Sequence, residues 1–321
     1  MNAAPDLTAI ILARDEEPHL ARCIASIRET ASRVIVVDSG STDRTREVAR
    51  QHGADVLEHP FENHGRQFNW ALAHGAVRTA WVMRLDADEY VLPCDAATLR
   101  ERLIHAPADA AAFTLRLRRI FMGRWLRHGG LYPIRLLRIW RTGAGRCEER
   151  WMDEHILVEG RVVDLPVDFA DHNLRSITWW TDKHNRYASR EALDQLLAAG
   201  SGAPRGRAGA KRWTKRHVYG RLPLGLRALL YFLYRYVARL GFLDGWPGFV
   251  FHFLQACWYR TLVDVKIRET REAMARGAIG LEQAAREVLG IDVTGAKAEA
   301  GIAHIGHHHG AQPTRHDPGR P

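Results

Sequence analysis

The 321 residues are 46% hydrophobic, enough to bury one large core or a core with an appendage, which excludes disorder as the default state. Lys and Arg outnumber Asp and Glu 46 to 37, and the net charge of +9 favours polyanionic partners: nucleic acid, anionic lipid headgroups or phosphorylated substrates. Cys23, Cys94, Cys147 and Cys257 form no C-x-x-C pair, so neither a structural zinc site nor a disulfide framework is expected, and a reducing compartment fits best.

Residues 1–7 lack a basic segment followed by an apolar one, and Asp6 interrupts them, so no secretory signal is read and the catalytic part is expected in the cytosol. From Leu7 the run LTAIILA is continuous and apolar, the pattern of a strand buried on both faces of a parallel sheet. Leu20, Cys23, Ile24 and Ile27 then recur at helical spacing across residues 17–30, and Arg33 to Val37 gives a second buried strand ending at Asp38. The polar loop Asp38 to Asp43 leads into a helix over Arg44 to His52, capped by Ser41 or Thr42. A short strand from Ala54 to Glu58, an amphipathic helix over residues 64–77 and a strand over Ala80 to Leu85 follow. The last delivers Asp86, Asp88 and Glu89 to its carboxyl end. This alternation predicts an α/β fold with a Rossmann-like, doubly wound sheet.

Between residues 111 and 170, β-like runs such as Ala111 to Leu117 and His155 to Val163 predict mixed strands that extend the same sheet. A helix is expected over residues 174–199, then a linker over 200–210 with a domain boundary near 205. The aromatic and apolar stretch 221–267 lacks the length of uncharged residues needed to span a membrane. Arg227, Arg235 and Arg239 can share one helical face with apolar residues opposite, which suits a helix lying in a membrane interface; a hairpin packed on the core with solvated arginines is the alternative. The division expected is a catalytic domain over 1–205, a helical membrane-associating region over 206–292 and a disordered tail over 293–321.

Four constellations carry chemistry. Asp38, at the end of a buried strand, either caps its own turn or accepts a hydrogen bond from a base or ribose. Asp86-Ala87-Asp88 offers two carboxylates at a strand end, hard ligands for Mg²⁺ or Mn²⁺ whose shell a diphosphate completes. Asp153 or Glu154 can take a proton from an acceptor hydroxyl, or the pair is a surface turn. His172 is a metal ligand or a diphosphate contact, with Lys183 and Arg186 able to meet phosphate.

Taken together, Leu7 to Glu17 (LTAIILARDEE), Val36 to Asp43 (VVDSGSTD), Asn69 to Leu72, Trp81 to Glu89 (WVMRLDADE), Asp153-Glu154-His155 and Lys183 to Ala192 resemble the family 2 glycosyltransferases of the GT-A fold. The likeness is to the branch with lipopolysaccharide-core glucosyltransferases and exopolysaccharide sugar transferases. It spans roughly residues 7–270 and includes the run Gly241-Phe242-Leu243-Asp244-Gly245. The resemblance implies a nucleotide-sugar site formed by Ala13, Asp15, Glu16, Asp38, Arg66, Asn69 and Asp86, a metal held by Asp88 and His172, and a catalytic base in the Asp153-Glu154 pair. Asp15 stands where the family usually has Asn, and Asp153-Glu154 where it often has His-Glu.

The expected activity is inverting transfer of a hexose from a nucleoside diphosphate sugar, with uridine as the expected nucleoside, to a lipid-linked, lipopolysaccharide or exopolysaccharide acceptor. The enzyme would sit on the cytoplasmic face of the inner membrane without binding nucleic acid. A nucleotidyltransferase is the rival reading, but Asp15-Glu16-Glu17 stands where a glycine- and base-rich phosphate loop belongs. A basic nucleic-acid-binding protein is a second rival, against which the basic residues are dispersed.

Overall fold

The computed structural model describes residues 5–148, 155–200 and 225–292. Asp153, Glu154, the linker from residue 201 with the boundary near 205, and the tail beyond residue 292 lie outside the described residues.

A mixed sheet organises the chain. Strands β1 (Leu7–Ala13), β2 (Arg33–Asp38), β3 (Asp55–Glu58) and β4 (Trp81–Asp86) run parallel in the order β3-β2-β1-β4. Helices α1 (Glu17–Ile27), α2 (Thr45–Gln51) and α3 (His64–His74) connect them. Because strand side chains alternate between faces, Ala9 and Ile11 join Leu20 and Ile24 of α1 on one side. Ile10, Ile35, Val37 and Val82 join Phe68 and Ala71 of α3 on the other. Both faces are covered, which is why β1 reads as an unbroken apolar run.

After β5 (Glu89–Val91) comes α4 (Pro93–Ile104), which sequence periodicity does not single out; its PCDAATLRERLI buries only Leu99 and Leu103. Strands β6 (Ala110–Phe121), β8 (Ile134–Arg141) and β11 (Arg161–His172) extend the same sheet through β4-β8-β6-β11-β5, with the short β7 (Arg124–Leu126) on β6. The expected run His155 to Val163 is divided at Gly160, whose φ of +118° only glycine adopts readily. Its first half, β10 (Ile156–Val158), pairs with β9 (Gly145–Cys147) in a separate ribbon, while its second half opens β11.

The C-terminal helices pack onto this sheet. Helix α5 (Ile177–Gly200) joins α8 (Tyr259–Gly277) through Ala188, Ala192, Leu193, Val263 and Ile267. Helix α6 (Leu226–Leu233) widens into a π turn at Tyr234–Ala238, and α7 (Gly245–His252) into another at Phe253–Trp258 before α8; α9 (Leu281–Ala284) follows. Phe121, Leu126, Leu131 and Phe251 weld sheet to helices. Asp244 accepts from the backbone nitrogens of Arg127 (3.1 Å) and His128 (2.9 Å), holding the two regions in register. Gly129, with φ +67°, lets the His252 ring approach: a Cβ there would lie 2.1 Å from it.

Two of the three arginines of this region bind within the protein. Arg227 pairs with the buried Asp264 and Arg235 donates its Nε to the Gly129 carbonyl (2.9 Å), while Arg239 is exposed with its guanidinium near Gly130. Leu229, Leu233, Val237, Leu240 and Trp246 are exposed as well. Among the described residues no helix is long and apolar enough to cross a membrane.

Two imidazoles in this region are held neutral. His184 stacks on Trp180 with ring centroids 3.5 Å apart, and burial pushes it down to about 4. His252 is fully buried, and burial, aided by Arg235, likewise lowers it to about 4. Each must gain a proton that the folded state resists and the unfolded state accepts near pH 6.5, so stability is complete above that value and lost as pH falls toward 4. The free energy of unfolding, measured by denaturant titration across this window, should drop by up to about 3 kcal/mol per histidine. The slope should shrink by roughly half in His252→Gln; an unchanged slope would show that His252 is not the titrating group.

Candidate functional site

The site lies where the parallel strands end. β1, β2 and β4 bring Ala13, Asp38 and Asp86 to one edge, with Ala13 opposite Asp38 and Leu12 opposite Asp86 in the ladders. Open α/β sheets bind ligands outside this edge.

Asp38 is fully buried and does two things. Its Oδ2 accepts from the backbone nitrogens of Gly40 (3.0 Å) and Ser41 (2.9 Å), closing the turn. Its Oδ1 is buried without a partner among the described residues, an acceptor whose desolvation is repaid only by an incoming donor. The turn-closing alternative left by the sequence is thus met by Oδ2, and Oδ1 is left open to a donor.

Neighbouring residues fix the loop around it. Asp15 adopts φ +54° and accepts from the Thr42 backbone (2.7 Å), and that bond is the largest reason its carboxyl is held below the usual range. Glu16 is 2.6 Å from His19 Nδ1, and His19 Nε2 accepts from the Leu174 backbone nitrogen (2.9 Å). Asp15 and Glu16 thus brace the β1–α1 and β11–α5 loops through bonds within the protein.

Asp86, Asp88 and Glu89 occupy three different environments. Glu89 is buried and takes hydrogen bonds from the Asp86 backbone nitrogen (3.0 Å) and from Arg138, whose guanidinium is itself 8% exposed. Burial, with the charge of Asp86 adding to it, pushes the Glu89 carboxyl well up even against Arg138. Burial also opposes ionisation of Asp86, but Arg84 (3.5 Å) and Arg138 (4.0 Å) outweigh it and hold that carboxyl far below the usual range. Adjacent acids are thereby split, one kept charged and the other favouring its proton. The Asp86 side chain remains 43% exposed, so its charge faces the crevice. Asp88 accepts from Asn173 (3.1 Å) through one carboxylate oxygen.

His172 comes to this cluster from the end of β11, its backbone nitrogen donating to the Asp88 carbonyl (3.1 Å). Arg22 of α1 meets its Nδ1 at 3.0 Å and its carbonyl at 2.6 Å. A guanidinium only donates, so Nδ1 accepts and the ring proton stays on Nε2. Burial, then Arg22, keeps the ring from charging. With Nδ1 accepting from Arg22 the ring presents an N–H at Nε2, which suits the diphosphate contact, the alternative to the ligand role expected for His172. Lys183 stands over the Trp179 ring at 4.8 Å, and its ammonium stays charged despite burial, through Tyr187, Asp88, Glu16 and Asp171.

Two further residues expected at the nucleotide-sugar site make bonds within the protein. Asn69 is spent on the backbone of Cys147, accepting from its nitrogen and donating to its carbonyl, both at 2.9 Å. Arg66 sits in the first turn of α3 and binds Glu62 at 2.6 Å. Asp153 and Glu154 lie outside the described residues, but the flanking Glu148 and His155 are joined by a backbone bond of 2.8 Å. Asn69 therefore anchors one end of the segment that carries them. Arg22 and Arg138 were not legible as site residues, because their partners lie on other elements.

Residues 8–152 match the model of Glycosyl transferase family 2. A TPR repeat-containing protein of Synechococcus elongatus is 33% identical over 114 residues, 35% of this chain and 27% of that protein. An uncharacterized glycosyltransferase of Rickettsia felis is 36% identical over 26% of this chain and 29% of its own length. The chain thus spans under a third of the length of these two relatives. The lipopolysaccharide core biosynthesis glycosyltransferase LpsC of Rhizobium meliloti is 28% identical over 60% of this chain and 73% of its own. Among solved structures, a glucosyl-3-phosphoglycerate synthase of Mycobacterium tuberculosis, in complex with Mn²⁺, uridine diphosphate and glucosyl-3-phosphoglycerate, is 24% identical with a TM-score of 0.30, covering 35% of this chain and 44% of that one.

Removing the Arg138 guanidinium leaves Glu89 buried without its partner. Arg138→Met should cost about 3–5 kcal/mol in urea denaturation, and adding Glu89→Gln should recover part of that loss. A double variant no more stable than the single one would show that the pair is not coupled.

Proposed function

We propose that the protein is a glycosyltransferase that moves a hexosyl group from a uridine diphosphate sugar to a lipid-linked or lipopolysaccharide acceptor, with inversion at the anomeric carbon; the match of residues 8–152 to the Glycosyl transferase family 2 model and the likeness to LpsC support this reading. What carries this reading is the acidic edge of β4: Asp86 held ionised beside Asp88, with Lys183 and the His172 N–H turned toward the same crevice.

The residues present suit a divalent cation with oxygen ligands. Among the described residues no three acidic, histidine or cysteine side chains converge into a cage, but Mg²⁺ and Mn²⁺ are often held by one or two carboxylates with substrate phosphates. Asp88 is the principal ligand in this reading and Asp86 lies on the ribose side. Bound there, the cation supplies charge that stabilises the departing diphosphate. The unpartnered Oδ1 of Asp38 accepts from the base, while Lys183 and His172 receive the phosphate oxygens.

The acceptor oxygen forms a bond to the anomeric carbon as the bond from that carbon to the diphosphate oxygen breaks. The acceptor proton passes to a carboxylate, assigned to Asp153 or Glu154, and the electron pair leaves with the diphosphate. Likeness to LpsC supports the lipopolysaccharide side of the proposal.

Asp88→Asn should lower transfer from a labelled uridine diphosphate sugar to a membrane lipid extract by about 100-fold or more and abolish stimulation by Mn²⁺. Full transfer together with full metal dependence in this variant would remove Asp88 from the role given to it. A donor-hydrolysis control separates loss of donor binding from loss of acceptor use.

A further inference from the structure

A cavity of about 450 Å³ opens between β6, the turn at Gly129–Leu131 and the C-terminal helices. Arg119, Arg235 and Arg239 line it, with Tyr231, Tyr234 and Gln255. The charge balance is uneven. Arg119 contacts Asp171 at 3.4 Å and leaves its Nε buried without a partner. Arg235 has a carbonyl but no carboxylate, and Arg239 makes no ion pair among the described residues. Burial lowers Arg235 below the usual guanidinium range, and repulsion from Arg119 and Arg260 adds to this although Tyr231 opposes it. Such an arrangement is relieved by an anion, and a guanidinium's forked donors match phosphate and carboxylate.

Position gives the anion an identity. Arg119 faces Asp171 in the β6–β11 ladder, one step from His172, so one residue of the cavity's lining reaches the acidic edge. Its other wall includes the π turn Tyr234–Ala238, where Val237 is 54% exposed, and the flanking Leu233 and Leu240 are 41% and 48% exposed. Trp246 extends that apolar surface. A cationic recess bordered by an exposed apolar face fits an amphiphile rather than a soluble anion.

We propose that this cavity is the subsite for an anionic headgroup, phosphate or carboxylate, of an amphiphilic acceptor whose apolar portion lies along Leu233, Val237, Leu240 and Trp246. The proposal rests on the transferase reading above and names the chemistry by which that reading selects its acceptor. Arg239 is exposed and bonded to no core group among the described residues, so it can be changed without emptying the core.

The test uses the full chain, sedimented with vesicles of phosphatidylcholine alone or mixed with phosphatidylglycerol, and separately titrated with inorganic phosphate. Arg239→Glu should weaken binding to the phosphatidylglycerol vesicles at least tenfold. Arg271→Glu, an equal charge change on exposed α8, should leave it near the wild-type value. Val237→Asp with Leu240→Asp should abolish binding to both vesicle types, with melting temperatures confirming that each variant folds. Equal loss in Arg239→Glu and Arg271→Glu would reduce the effect to net charge and overturn the subsite. Binding of inorganic phosphate without binding of vesicles would overturn the amphiphile. Binding of uridine diphosphate with Mn²⁺, measured by calorimetry on the wild type, is the separate check on the transferase reading: its failure sinks that reading, whereas its success with unaltered vesicle binding in Arg239→Glu sinks this one.

Discussion

The contact of Arg138 with Glu89 and Asp86 sets the terms for the rest of the site. Arg138 reaches from β8, an antiparallel strand, to the turn between β4 and β5, and so fixes the carboxyl edge of the parallel half against the mixed half of the sheet. A charge this deep is costly unless matched: Glu89, which favours its proton, meets Arg138 with a hydrogen bond, and the ionised Asp86 supplies the opposing charge. The field of Arg138 and Arg84 in turn keeps Asp86 ionised while it faces the crevice. One buried guanidinium thus does two jobs. It lets a polar turn exist within the core and keeps a negative charge at the position where chemistry needs it.

The parallel half of the fold was legible because its physics is local. Strands covered on both faces must be apolar at every position, and β1, β2 and β4 announce themselves by that run. Helix α4 escaped because PCDAATLRERLI buries two leucines and has no broad apolar stripe; its position comes from packing on β11 and α1. The division of residues 155–163 escaped for a related reason. Ile156, Val158, Val162 and Val163 read as one β-like stretch, and only the backbone of Gly160 turns the second half away. Such a turn does not alter hydrophobic periodicity.

Among the candidate site residues, the places of Asp38 and Asp86 at strand ends and of Asp88 in the turn after β4 could be read because the sequence implies each strand's direction. The partner of Asn69 could not be read on the same grounds. Its spacing on α3 gives a helical position, but its amide is engaged by Cys147, 78 residues away. His172 shows the same limit: its ring chemistry depends on Arg22, 150 residues distant. The arginines of 227–239 show it most fully. Helical spacing places charged and apolar residues on opposite faces, but says nothing about which face meets the protein, and here Asp264 and the Gly129 carbonyl draw the charges inward.

That inversion changes what the net charge of +9 means. A solvated basic face would attract any polyanion at a distance and discriminate little, because exposed charges are screened within about 10 Å at ordinary salt. Guanidiniums drawn into a recess act differently. They are partly desolvated, their donors are oriented, and an anion of the wrong size cannot reach all of them at once. With the apolar residues displaced outward, one helical segment separates the requirement for a headgroup from the requirement for a hydrophobic tail and places both beside Asp171. The Arg119–Asp171 contact, made inside the sheet between β6 and β11, then links the lining of the recess to the acidic edge that Arg138 holds in place from β8.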